Sequence, residues 1–119
     1  MTEYEKFEIM RDTEKNLVFE GEKVAFVSNK WINGQDQSRW NELTLYRTKG
    51  GKYVLKRKYV TCWQGESGSL EADIYDNVSD LVNTFGGGGS AFTVLEKELM
   101  EEAAVMDETI QAEITEAVD

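Results

Sequence analysis

The chain has 119 residues, 40% of them apolar and 30% charged, with 23 acidic against 13 basic side chains and a formal net charge of −10. That length suits one packed core and leaves little room for a second, and the apolar fraction argues against a chain disordered throughout. Histidine is absent and Cys62 is the only cysteine, which removes Ser–His and Cys–His catalysis, imidazole and cysteine metal sites and intrachain disulfides. Catalytic residues, metals and cofactors are therefore not expected, and carboxylate-only chemistry is the one catalytic class left open.

The N-terminal "MTEYEKFEIMRD" contains no apolar run, so neither a signal peptide nor a membrane anchor is expected and the cytoplasm is the default compartment. Within it, residues 5–12 alternate with Phe7 and Ile9 on one face, a strand pattern. Residues 16–31 read as two short strands around Glu20, Gly21 and Glu22, a hairpin signal, and residues 32–39 read as a loop holding the turn dipeptide Asn33-Gly34.

Residues 40–63 give the clearest hairpin, two runs rich in Leu, Val, Thr, Tyr and Trp on either side of Gly50 and Gly51. A loop at 64–69 precedes the alternating strand 70–76, with Leu70, Ala72 and Ile74 on one face. Capping residues Asp76 and Asn77 then open a short helix that carries Val78, Leu81, Val82 and Phe85 at helical spacing and stops at Gly86. The word "GGGGS" at 86–90 reads as a hinge, although it is also identical to a common laboratory spacer. From Ala91 onward no glycine or proline interrupts the chain, and Phe92, Leu95, Leu99, Ala103, Met106, Ile110, Ile114 and Ala117 form one apolar stripe.

The expected architecture is thus a single α+β domain over 1–119: an antiparallel sheet of five or six strands with a short helix (1–85), a glycine hinge (86–90) and a long amphipathic acidic C-terminal helix (91–119). Trp31, Trp40 and Trp63 read as core or sheet-face aromatics. A continuous helix over 91–118 would run about 42 Å, against a domain of roughly 30 Å, so part of its apolar stripe would overhang and require a second copy or another protein. The alternative is a break at Asp107, where "VMDETIQ" resembles a helix N-cap followed by an acidic first turn.

Charge divides at the glycines. Residues 91–119 hold nine acids and only Lys97, a net of −8, whereas residues 1–90 are close to neutral at −2. Glu98, Glu101, Glu108 and Glu116 would project as a ridge opposite the apolar stripe. Between Leu43 and Gly65 the chain instead carries Lys49, Lys52, Lys56, Arg57 and Lys58 beside Arg47 and no acid.

Three readings of this pattern stand side by side. The acids can simply solvate an outer face. They can contact a protein, through Glu98, Glu101, Glu108 and Glu116 with Leu99, Met106 and Ile110, either a nucleic-acid-binding effector or a second copy in a homodimer. Alternatively, Lys49, Lys52, Lys56, Arg57, Lys58 and Tyr59 can bind nucleic acid or another ligand, a reading that the −8 tail opposes because it repels phosphate.

Residues 39–66 also carry a longer pattern: Trp40, Glu42, Leu43, Leu45, Tyr46, Arg47, Thr48, Gly50, Gly51 and Lys52, then Trp63, Gly65 and Glu66, with Lys97, Glu98 and Leu99 later. This resembles uncharacterised small proteins of bacterial plasmids and integrative elements. The resemblance implies a mobile-element accessory protein and carries over no catalytic residue. By analogy with small acidic proteins of such elements and of phages, it implies an inhibitor of host defence, anti-CRISPR or anti-restriction. The expected function is accordingly a non-enzymatic acidic protein that binds another macromolecule, with no membrane association.

Overall fold

The computed structural model describes residues 4–28, 31–32, 35–36, 38–85 and 94–114. Five strands form one antiparallel sheet in the order β1-β2-β5-β6-β7: β1 (Glu5–Ile9), β2 (Leu17–Ser28), β5 (Arg39–Thr48), β6 (Tyr53–Thr61) and β7 (Ser69–Tyr75). Between β2 and β5, the two-residue strands β3 (Trp31–Ile32) and β4 (Gln35–Asp36) pair with each other. Three short helices follow: α1 (Val78–Phe85), α2 (Val94–Met106) and α3 (Glu108–Ile114).

The expected α+β fold with a long C-terminal helix is not what forms. The molecule is mostly sheet, curled into a half-barrel, and the longest helix among the described residues, α2, has 13 residues. The reason lies at Asp107. Its backbone N–H still donates to Ala103 O, the last bond of α2, while its carboxylate accepts from the N–H groups of Thr109 (2.9 Å) and Ile110 (3.4 Å), as an N-cap of α3 does. One residue ends one helix and begins the next. The 42 Å rod, and with it the overhang, disappears. Glu116 and the glycine hinge at 86–90 lie outside the described residues.

The hairpin expected over 16–31 is also corrected. Gly21 is not a turn residue but sits inside β2, opposite Glu5 on one side and Thr48 on the other. A Cβ there would collide with Arg47 O, so glycine is required by the close approach of two strands. Just beyond it the register slips between Lys23 and Ala25, a bulge that turns both Val24 and Ala25 into the helix-side core. The turn between β5 and β6 does fall at Gly50 and Gly51, the latter at φ 90°, where any side chain would be strained.

Alternation gives the curled sheet two apolar faces. On one, Val27, Leu43, Leu45, Tyr53 and Leu55 pack against Val78, Leu81, Leu99, Met100, Ala103 and Ile110 of the three helices. On the other, Ile9, Tyr46, Val54 and Ala72 are buried together, with Phe7, Leu17 and Phe19 against them. This second cluster requires the β1–β2 ribbon to fold over the sheet as far as β7. The seam is closed by Asp12, whose N–H donates to Leu70 O (3.0 Å) and whose carboxylate accepts from Leu70 N–H (2.8 Å). Arg11 Nη1 donates to Ala72 O alongside.

The Asp107 carboxylate is 3% exposed and accepts the Tyr53 hydroxyl at 2.6 Å, with Arg47 Nη1 at 3.7 Å. Arg47 and Tyr53 are cross-strand partners, so the cap is pinned to the hairpin. Burial, and then the bond to Asp107, pushes the Tyr53 hydroxyl pKa above the ordinary tyrosine value near 10. Because the folded state holds the proton more tightly, its contribution to stability is complete below about pH 10 and falls as pH rises further. Urea titrations from pH 8 to 11.5 will therefore show a loss of stability above pH 10 that is shallower in Tyr53→Phe. At neutral pH, Asp107→Ala will cost about 2–4 kcal/mol, combining a lost cap with a stranded buried hydroxyl.

Candidate interaction surface

The acidic ridge survives the break in the helix, but its composition changes. On α2, Glu98, Glu101 and Glu102 are exposed and share one face, because residues three, four and seven apart lie on the same side. At the centre of that face stands Val105, 86% exposed, followed by Met106 at 65% and by exposed Glu108 at the start of α3. Leu99 and Ile110, expected to belong to the contact surface, are fully buried against the sheet and unavailable to a partner. Asp107, which sequence assigns to the excess negative charge, is likewise internal. The surface is thus two apolar side chains ringed by four carboxylates.

Two of these carboxylates have partners. Glu102 Oε1 accepts from the N–H of Phe26 (3.3 Å) in β2. Past Gly21, β2 has no pairing strand on the side away from β5 among the described residues. Glu102 therefore both shields a sheet edge and anchors α2 to it. Lys97 lies 4.0 Å from Glu101 with both groups exposed, a contact worth little in water. Glu98 and Glu108 have no ion-pair partner among the described residues.

Strand alternation disperses the basic set. Lys56 lies between Thr44 and Ala72, and Lys58 between Glu42 and Leu70, both on the face away from the helices. Arg57 and Tyr59 belong to the opposite face. Lys49 and Lys52 sit at the hairpin tip, near Glu20 (3.8 Å) and Asp76 (3.6 Å) respectively. Of the hairpin's tyrosines, Tyr46 and Tyr53 are buried in the core and Tyr59 is half-buried.

The three tryptophans do not share one role. Trp40 is buried and donates to Glu42 Oε2 (2.9 Å), while the side chain of Trp31 lies outside the described residues. Trp63 is 54% exposed, against the expectation of a core or sheet-face aromatic, and its indole N–H donates to Ser38 Oγ (3.0 Å). Arg39 stacks over it at 5.2 Å and grips Glu66 through two 2.8 Å bonds. That grip raises the Arg39 pKa and, together with the Thr61 hydroxyl, lowers that of Glu66.

Comparison with family models, curated proteins and solved structures finds no match. None of the helices among the described residues is long and apolar enough to cross a membrane. Val105 escapes the sequence reading because it lies off the apolar stripe; its signal is its position, four residues after Glu101 and seven after Glu98. Leu99→Ala will lower stability by about 2–5 kcal/mol, whereas Val105→Ala will stay within about 0.5 kcal/mol, and thermal unfolding of the two variants distinguishes a core residue from a surface one.

Proposed function

We propose that this is a non-enzymatic binding protein that docks the acidic face of α2 and α3 on a cationic protein surface. In its sharpest form it is an anti-defence inhibitor from a phage or mobile element, occupying the nucleic-acid groove of a CRISPR effector or restriction enzyme. One observation carries the reading: Val105 and Met106 stand exposed among Glu98, Glu101, Glu102 and Glu108. Solvation alone accounts for the carboxylates but not for a valine at the centre of their face. Interfaces concentrate their energy in such desolvated central contacts, with charge at the rim guiding approach and selecting the partner.

Density of charge defines the kind of inhibitor. The 13 residues of α2 span about 20 Å, so the three carboxylates of this face that lie on α2 amount to roughly one per 7 Å, against about one per 1.7 Å in duplex DNA. The face is too sparse to imitate a duplex along its length. It fits instead as a plug, with an apolar centre seated between the cations of a groove.

The test is displacement of labelled target DNA from purified Cas effector–guide complexes and restriction endonucleases. The expected result is displacement from one of them that weakens with added salt, and that weakens at least tenfold when Glu98, Glu101 and Glu108 are replaced by lysine or when Val105→Asp is introduced. Displacement that ignores both variants, or none from any effector, overturns the proposal.

A further inference from the structure

Away from the helices, the corner where β2 leaves β1 forms a half-open cavity of about 430 Å3 lined by Glu5, Phe7, Gly21, Glu22, Lys23 and Tyr46. That volume falls within the range of ligand cavities, about 300–1,000 Å3. Its inner wall is aromatic. The Phe7 and Tyr46 rings lie 4.9 Å apart and are tilted by 59°, with Phe19 behind them at 5.5 Å from Phe7 and 5.6 Å from Tyr46.

Tyr46 is 7% exposed, yet among the described residues its hydroxyl has no hydrogen-bond partner. Buried hydroxyls are ordinarily satisfied, so an unsatisfied one calls for a reason. Tyr53 shows the contrast within the same sheet, since its hydroxyl meets Asp107. The Tyr46 hydroxyl is not sealed from solvent, and Tyr46 lines the cavity. Burial alone raises its pKa, so it stays neutral and able both to donate and to accept.

The surrounding charges specify the ligand. Glu5 pairs with Gly21 and shares the face of Phe7 and Tyr46, whereas Glu22 pairs with Arg47 and lines the cavity from a strand position whose side chain faces the helices; the one ammonium of the lining, Lys23, lies 5.7 Å over the ring of Phe26, which is not part of it. Aromatic faces beside a carboxylate favour a cation with an apolar stem. A planar guanidinium has donors enough for the Tyr46 oxygen and a carboxylate together, while its methylenes cover Phe7.

We propose that this cavity is a binding site for a guanidinium group. It lies on different residues from the acidic helical face and stands independently of the function proposed above. The chemistry has two sources, an arginine side chain presented by a protein and a free guanidino compound.

Two probes separate them in NMR titrations of the full-length protein: arginine amide, and a short peptide with one arginine flanked by glycines and serines. Saturable shifts of Phe7, Gly21 and Tyr46 are expected, with affinity reduced about five- to tenfold in Tyr46→Phe, as loss of one hydrogen bond implies. Glu5→Gln, at a position outside the packed clusters, should weaken binding severalfold, while Glu22→Gln, on the opposite face of the strand, should leave it unchanged. Equal affinity for the two probes assigns the site to free guanidino compounds, and preference for the peptide assigns it to a protein-borne arginine; both support the proposal. Absence of saturation at millimolar probe, or wild-type affinity in both Tyr46→Phe and Glu5→Gln, overturns it. So does tighter binding of acetate than of arginine amide.

Discussion

The carboxylate of Asp107 joins what would otherwise be independent pieces. It caps α3, receives the end of α2 through its own backbone, and meets Tyr53 and Arg47 from adjacent strands at the hairpin tip. A buried carboxylate without partners would be costly, and each of these contacts offsets part of that cost. The arrangement ties both helices to the hairpin tip.

Beneath the helices, the sheet solves a different problem. Two apolar faces must both be covered, but helices cover only one. The chain covers the other with its own first ribbon, bent over at the Gly21 approach and the Val24 bulge and sealed to β7 through Asp12. A curled sheet gains a second core this way without additional elements. The Tyr46 cavity lies at the corner that this bend creates, where the ribbon leaves the sheet and the packing opens.

Local signals were legible where local chemistry decides the structure. Gly50 and Gly51 mark a real turn because the left-handed backbone at Gly51 is a property of the turn itself. Asn77 caps α1 through its side chain on the N–H of Asp80 (2.9 Å), as the residue types predict. Gly21 misleads because Glu-Gly-Glu between apolar runs looks like a turn, whereas the reason for glycine is the carbonyl of Arg47, 26 positions away. At Asp107 two local signals compete, an unbroken apolar stripe and an N-cap. What decides between them is Tyr53, 54 residues distant, which no window of sequence contains. The candidate surface was legible in its acids and not in its apolar centre, because a stripe locates the inward face and Val105 points outward.

The seal between Asp12 and Leu70 joins residues 58 positions apart, and that separation has a temporal meaning. During synthesis at about 5–20 residues per second, the β1–β2 ribbon leaves the ribosome roughly 3–12 s before the strand that locks it. In that interval Phe7, Ile9, Leu17 and Phe19 have no β7 to close against. Closing so long a loop is entropically slow, so the ribbon is the part of the fold that must wait.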